Sequence, residues 1–511
     1  MLFNSYAFLL AFLPLALAGF FVAARVGGPP LAAGWLVAAS IGFYAWGNAV
    51  FLPVLVTSVG GNYAAVRAAS AARGRPRLQA WLLRAAIAAD LGALVYYKYL
   101  ADLLGFLGLP RGWGGGALPL GISFFTFTQI GYLIDCCAGT ARARGLRDYL
   151  LFVTFFPHLV AGPILHHREI MPQFAEARTW RPSGENIAVG SAIFTIGLLK
   201  KCLLADPLAP VVAAGFAHPG ALGLAGAWQA AASYSLQLYF DFSGYSDMAI
   251  GLARLFNLRF PLNFNAPYRA ESVIDYWQRW HMTLTRYLTL YLFNPIALAI
   301  TRRRAARGRQ VGRVGQGTAG GFAAMVALPI GITMTLAGIW HGSGRTFIAF
   351  GVLHAVYLTI NHAWRVFGPM RRSDGPRGRV GRIAVTYLAV LAGAVVFRAP
   401  TLGVAGQVLG GMVGMHGLAV ALPAPGDLRA MLRLARALGW LAALYGIVWF
   451  APTTQQIMRS FAPALGAAVR AGPWPGLAWQ PSLPWALALG GAGALGLLAL
   501  GGTSEFLYFR F

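Results

Sequence analysis

Apolar residues fall in long blocks parted by short polar or basic stretches. A membrane-crossing helix needs about 20 mostly apolar residues. Blocks of that kind lie at 5–24, 31–46, 50–66, 80–99, 117–135, 149–165, 187–205, 227–254, 275–299, 320–340, 344–363, 382–398, 403–422, 434–451 and 483–501. Some are short, or interrupted by glycine and proline. Phe156-Pro157-His158 and Ala161-Gly162-Pro163 break the block at 149–165. Irregular backbone at membrane depth survives only where protein or a wet cavity covers it. That block is therefore expected to re-enter or to line a cavity. Phe8 to Phe21 has the length of a signal-peptide core, with Ala16-Leu17-Ala18 placed like a cleavage site. No basic residue precedes it and the apolar run continues to Ala24. It reads as a retained first membrane helix.

Composition narrows the class. Of 511 residues, 58% are apolar and 11% charged. A soluble domain carries roughly 25% charged residues. A soluble enzyme, a disordered tail and a disulfide scaffold are excluded as the main description, and an all-α polytopic membrane protein is expected. The formal net charge is +26, from 41 basic and 15 acidic residues. In a soluble protein that would suggest nucleic acid. Here the arginines cluster in short loops: Arg67, Arg73, Arg75 and Arg77; Arg142, Arg144 and Arg147; Arg302, Arg303, Arg304, Arg307, Arg309 and Arg313; Arg371, Arg372, Arg377, Arg379 and Arg382. Two spans separate the first cluster from the second, and two the third from the fourth. Each pair then shares a side, which the positive-inside rule makes cytoplasmic. No nucleic-acid partner is expected; lipid is the surrounding. Cys136, Cys137 and Cys202 lie in or beside apolar blocks and read as buried free thiols. The chain shows no internal repeat and no soluble domain.

Polar chemistry concentrates in two places. Residues 231–285 hold Asp241, Ser243, Ser246, Asp247, Arg254, Asn263, Asn265, Tyr268, Arg269, Asp275, Arg279 and His281 within apolar surroundings. Ionisable groups at membrane depth usually face a bundle interior or a wet path. Asp241 and Asp247 are six apart and do not share a helical face. Each could pair with an arginine such as Arg254 or Arg269, or meet a ligand. The second place is Gly338-Ile339-Trp340-His341-Gly342-Ser343-Gly344-Arg345, where one apolar helix ends and the next begins, with His354 following. A neutral imidazole suits general-base work on an alcohol nucleophile. No G-x-S-x-G elbow is present. The histidines show no metal-ligand spacing; His166 and His167 are adjacent and would not face one site on a helix, so no metal is expected.

These runs carry a family resemblance. LPLGISFFTFTQIGYLID at 118–135, FVTFFPHLVAGPI at 152–164, the long run from Phe240 to Leu288, GIWHG at 338–342 and FGVLHA at 350–355 resemble bacterial membrane-bound O-acyltransferases of the alginate O-acetyltransferase type. The match covers 1–365, implying a catalytic membrane core there and C-terminal transmembrane helices of the same domain at 366–511. The resemblance implies a ring of helices around a funnel with re-entrant segments. It implies that the funnel holds two histidines, His341 and His281, in catalytic roles, while Asp241, Ser243, Asp247, Asn263, Asn265, Trp280, Trp340 and His354 are the candidate substrate contacts. It further implies a bacterial inner-membrane enzyme with no bound cofactor. Such an enzyme moves an acyl group from a cytoplasmic thioester such as acetyl-CoA toward the hydroxyl of an extracytoplasmic polysaccharide, often with a periplasmic SGNH-type accessory acetyltransferase. The chain departs from the family pattern at Thr289–Pro295 and at Arg345. Two other readings stay open: D-alanyl transfer from a carrier protein to a teichoic-acid-like polymer, and a transporter or flippase.

Overall fold

The first apolar stretch doubles back on itself. Helix α1 (Ala7–Ala45) leaves helical geometry at Gly28 (φ 67°), just before Pro29 and Pro30. Those prolines cannot supply the N–H groups that a continuing helix needs. Trp35 Nε1 donates to the Ala16 carbonyl at 3.0 Å, so the two legs lie side by side. They are the spans expected at 5–24 and 31–46.

This computed structural model describes residues 1–109, 118–141, 144–369, 375–418, 427–466, 474–501 and 506–507. Arg142, Arg371 and Arg372 lie outside them. The main helices continue as α2 (Ala49–Ala71), α3 (Pro76–Lys98), α4 (Ile122–Cys137), α5 (Leu146–Thr154), α6 (Gly184–Ala217), α7 (Leu224–Leu255), α8 (282–306), α9 (Ala319–His341), α10 (Arg345–Phe367), α11 (Gly375–Arg398), α12 (Met431–Phe450) and α13 (Leu483–Leu498). Eight of these, α1 to α3, α6 and α9 to α12, are long and apolar enough to cross a bilayer. Outer helices leave Leu10, Trp81, Ile360 and Phe450 exposed, as a surface covered by lipid would. The protein is an all-α, multi-pass membrane protein.

Helix α7 forms the core. Every residue from Ser233 to Leu255 is buried. Protein rather than lipid surrounds it, which is why it can carry Gln237, Asp241, Ser243, Ser246 and Asp247. It meets α6 backbone to backbone: a Cβ at Gly197 would stand 2.6 Å from the Gly244 carbonyl oxygen. Small residues permit that approach between membrane helices. The contact also settles the aspartates. Lys200 pairs with Asp247 at 2.5 Å and Lys201 with Asp241 at 2.5 Å. Successive residues on a helix point about 100° apart, and residues six apart differ by about 120°. Two adjacent lysines therefore match two aspartates that share no face. The arginine partners expected from sequence are engaged elsewhere: Arg254 with Glu185 and the Phe461 carbonyl, Arg269 with the Val448 and Ala451 carbonyls.

The block at 149–165 behaves as its prolines suggest. Helix α5 ends at Thr154, a single turn follows at Phe156–Leu159, and 160–166 is irregular. All of 151–165 is buried, so protein covers this non-helical backbone. Other blocks differ from expectation. The one at 275–299 is broken at residues 278–281, and its helix runs on to 306. In the one at 403–422, Leu402–Met412 is helical, too short to cross. Helix α11 reaches the same cavity as α9 and α10.

Candidate active site

Three elements bring three imidazoles to one small cavity of about 40 Å³, lined by His281, His341 and His354. Tyr268, Tyr276, Trp277, Trp280, Phe350 and Phe397 supply most of its aromatic wall. His341 is the last residue of α9, at the end away from the arginines of 302–313. The helix end is closed by α3: Lys98 Nζ donates to the Trp340 carbonyl at 2.5 Å, and Tyr99 OH to the Ile339 carbonyl at 2.9 Å. C-terminal carbonyls of a helix lack intrahelical partners, and a cation there is favourable. A second cavity, about 50 Å³, is lined by Lys98, Leu118–Phe124, Val160, Trp340 and His341. The two linings share His341 alone.

His281 caps the start of α8 in the left-handed region (φ 43°). Such backbone costs a non-glycine residue of order 1–3 kcal/mol and tends to mark functional sites. Asn263 holds its ring, with Nδ1 3.1 Å from the Asn263 side-chain oxygen. That oxygen also accepts from Thr283 N at 3.3 Å and Thr283 Oγ1 at 3.0 Å, while the Asn263 amide nitrogen donates to Ser246. The oxygen is an acceptor, so His281 Nδ1 carries its proton and Nε2 carries the lone pair.

The residues expected at the site separate into groups. His281, His341, His354 and Trp280 line the larger cavity, and Trp340 the smaller. Asn263 lines neither and acts on His281. Asp241 and Asp247 line neither and are held by the α6 lysines. Ser243 is buried in α7, and Asn265 is exposed, its backbone N–H bonded to the Arg279 carbonyl at 3.0 Å. Sequence reasoning passed over Trp277 and Lys98. Trp277 stood in plain view four residues before His281, within the run whose second tryptophan was chosen.

One further expectation fails in its geometry. His166 and His167 do face one group: His166 Nε2 lies 3.1 Å and His167 Nδ1 3.5 Å from Asp135 Oδ2, to which Tyr291 OH also donates at 2.7 Å. Neighbours on a continuing helix would diverge, but His166 is an extended N-cap (φ −98°, ψ 135°). By distance the three could hold a metal ion. The hydrogen bonds read otherwise: His166 Nδ1 accepts from Arg168 N at 3.3 Å, which puts its proton on Nε2, toward the carboxylate. Burial pushes His167 down to about 4, with the neighbouring His166 adding to the effect.

Comparison with known proteins adds to this geometry. The model of the membrane-bound O-acyltransferase family matches residues 141–314. A Helicobacter pylori protein named "Peptidoglycan O-acetyltransferase" is 36% identical over 452 residues, covering 82% of this chain and 81% of the relative. An Azotobacter vinelandii protein named "Probable alginate O-acetylase" is 35% identical over 422 residues, 81% of this chain and 78% of the relative. A Bacillus subtilis "Teichoic acid D-alanyltransferase" is 27% identical over 243 residues, 47% of this chain and 58% of the relative.

Proposed function

Because the chain belongs to the membrane-bound O-acyltransferase family, we propose that it moves an acetyl group from a cytoplasmic thioester, acetyl-CoA, toward a hydroxyl of an extracytoplasmic polysaccharide. Membership makes it an O-acyltransferase and sets the transporter reading aside. The observation that carries the proposal is the placing of His341: it shares one aromatic cavity with His281 and lines a second cavity as well. His341 removes the proton of the accepting hydroxyl as general base. His281, its lone pair on Nε2, orients the hydroxyl or relays that proton. The donor approaches from the side of the arginine clusters, whose charge attracts its phosphates. Those clusters face the cytoplasm in a bacterial inner membrane.

Two observations favour acetyl. The cavity of about 40 Å³ suits a two-carbon acyl group, whereas ligand pockets usually span about 300–1,000 Å³. The O-acetylating relatives match four-fifths of the chain, against less than half for the D-alanyl one. The acceptor is a cell-envelope polysaccharide of the alginate or peptidoglycan kind, and an SGNH-type periplasmic acetyltransferase completes delivery.

The test is thiol release from acetyl-CoA by membranes holding the wild-type protein or His341→Ala at equal, folded amounts. The variant should lose at least about 10²-fold, the usual scale for a general base. Full activity in His341→Ala would remove this histidine from the reaction. D-alanyl consumption without acetyl-CoA turnover would move the chain to the other branch.

A further inference from the structure

His354 lies beyond what the base chemistry requires, and its surroundings decide where its proton sits. The residue is 1% exposed and lines the cavity of His281 and His341. Trp277 Nε1 lies 3.2 Å from its Nδ1. An indole N–H can only donate. Nδ1 is therefore the acceptor, and the neutral ring carries its proton on Nε2. Among the described residues, Nε2–H has no hydrogen-bond acceptor. Opposite it, α11 presents Gly393, where a Cβ would stand 2.6 Å from Nε2. A larger residue there would close off this edge of the ring. The glycine leaves this edge of the ring open at the wall of a cavity that holds two other imidazoles.

We propose that His354 Nε2–H receives the acyl carbonyl oxygen during transfer, and that Trp277 is the positioning residue that keeps the proton on that nitrogen. The inference rests on the acyl-transfer reading above and assigns a role that reading leaves empty. When the acceptor oxygen attacks the thioester carbon, a C–O bond forms and the carbonyl π pair moves onto oxygen. His354 donates to that oxyanion. The pair then returns, the C–S bond breaks, and the leaving thiolate takes up the proton that His341 removed from the hydroxyl. His354 neither gains nor loses a proton. A fixed donor aimed at developing charge is among the most effective catalytic devices.

The full chain, purified with its histidines labelled with ¹⁵N, supplies two independent readouts. One is thiol release from acetyl-CoA with a mannuronate oligosaccharide as acceptor probe. The other is the ¹⁵N resonance pair of the His354 ring, assigned by difference from His354→Gln. The wild-type ring should be protonated at Nε2 and bare at Nδ1. His354→Ala should lower kcat about 10²-fold while KM for acetyl-CoA stays within about twofold. His354→Gln, which can place an N–H near the same point, should regain about tenfold of that loss, and Trp277→Phe should lower kcat about tenfold and spread the proton over both nitrogens. A wild-type ring protonated at Nδ1, an unchanged kcat in folded His354→Ala, or a loss confined to KM would overturn the role. If His354→Ala does not fold, Trp277→Phe and the ring resonances decide. A wild type that releases no thiol overturns the acyl-transfer reading and this role together; an active wild type indifferent to His354 overturns this role alone.

Discussion

Replacing Lys200 by methionine tests whether Asp247 serves the fold or a ligand. Asp247 Oδ2 takes Lys200 Nζ at 2.5 Å and Thr454 Oγ1 at 2.6 Å, and Oδ1 takes Gln455 Nε2 at 3.3 Å. Without the lysine, a buried carboxylate keeps two neutral donors and loses its counter-charge. Stranding one member of a buried pair costs about 3–5 kcal/mol. The two remaining donors place Lys200→Met at the lower end, about 3 kcal/mol. Asp247→Leu strands the ammonium and should cost a similar amount. The double variant removes both charges, and an apolar replacement of a buried pair is often neutral or stabilising. Its cost should therefore be far below the sum of the single costs. The assay is denaturant unfolding of the four proteins in detergent, with thiol release from acetyl-CoA measured on each. The double variant should be folded and keep activity within a few-fold of wild type. A stable but inactive double variant would mean that Asp247 meets substrate. Additive losses would mean that the pair is not coupled, and either result refutes the reasoning.

Asn263→Asp keeps the acceptor for His281 Nδ1 and adds negative charge beside it, which stabilises the imidazolium; the low-pH limb of the rate profile should move to higher pH, and an unmoved limb would take His281 out of the proton path. Val390→Ala removes two methyl groups from the wall of the acyl cavity. Because a pocket discriminates by about 1–3 kcal/mol per methylene, competition assays should show butyryl-CoA gaining at least about tenfold against acetyl-CoA. Glu271 anchors the start of α11: the Arg382 hydrogen bond, with Arg379 adding attraction, holds its carboxyl below the usual range. A lowered folded-state pKa means that the clamp acts above the ordinary carboxylate range and fades as pH falls through the folded value. Amide protection at residues 375–385, measured against the intrinsic exchange rate at each pH, should therefore fall at low pH in wild type and show no such pH-dependent fall in Glu271→Gln.

Spans facing lipid were legible because lipid imposes one rule, an apolar surface of sufficient length. The gap between the blocks at 5–24 and 31–46 fell where α1 turns back. Helix α7 was legible for the opposite reason, since its polar residues are incompatible with lipid and demand a protein sheath. What escaped was pairing across helices. Lys200 and Lys201 lie in an apolar block with nothing nearby to suggest partners 40 or more positions away; only the angular match of α6 with α7 joins them to the aspartates. His166 and His167 were judged as neighbours on a helix, and an extended N-cap defeats that judgement. The histidines of the site were visible in their motifs. The pairing of His281 with His341 came from the family resemblance and not from the residues themselves, because the convergence depends on a break at 278–281, a helix end at His341 and a glycine at 393, each on a different element.

The groups that set these rings are themselves informative. Asn263 fixes the proton of His281 and Trp277 that of His354, and both partners are uncharged. A carboxylate in either place would favour the imidazolium and would require burying a full charge, which is expensive at membrane depth unless it is paired. An amide oxygen and an indole N–H select a tautomer without favouring the charged ring to the same degree. They also select opposite tautomers: the His281 ring presents a lone pair at Nε2, the His354 ring a proton at Nε2. Around one apolar cavity the chain thus holds a neutral acceptor and a neutral donor. In the proposed reaction His341 takes the proton of the attacking hydroxyl, the His281 lone pair orients that hydroxyl or relays the proton, and the His354 N–H meets the charge arriving on oxygen. On that proposal charge arises at these rings only during the reaction itself, and the resting protein bears no cost of keeping it there.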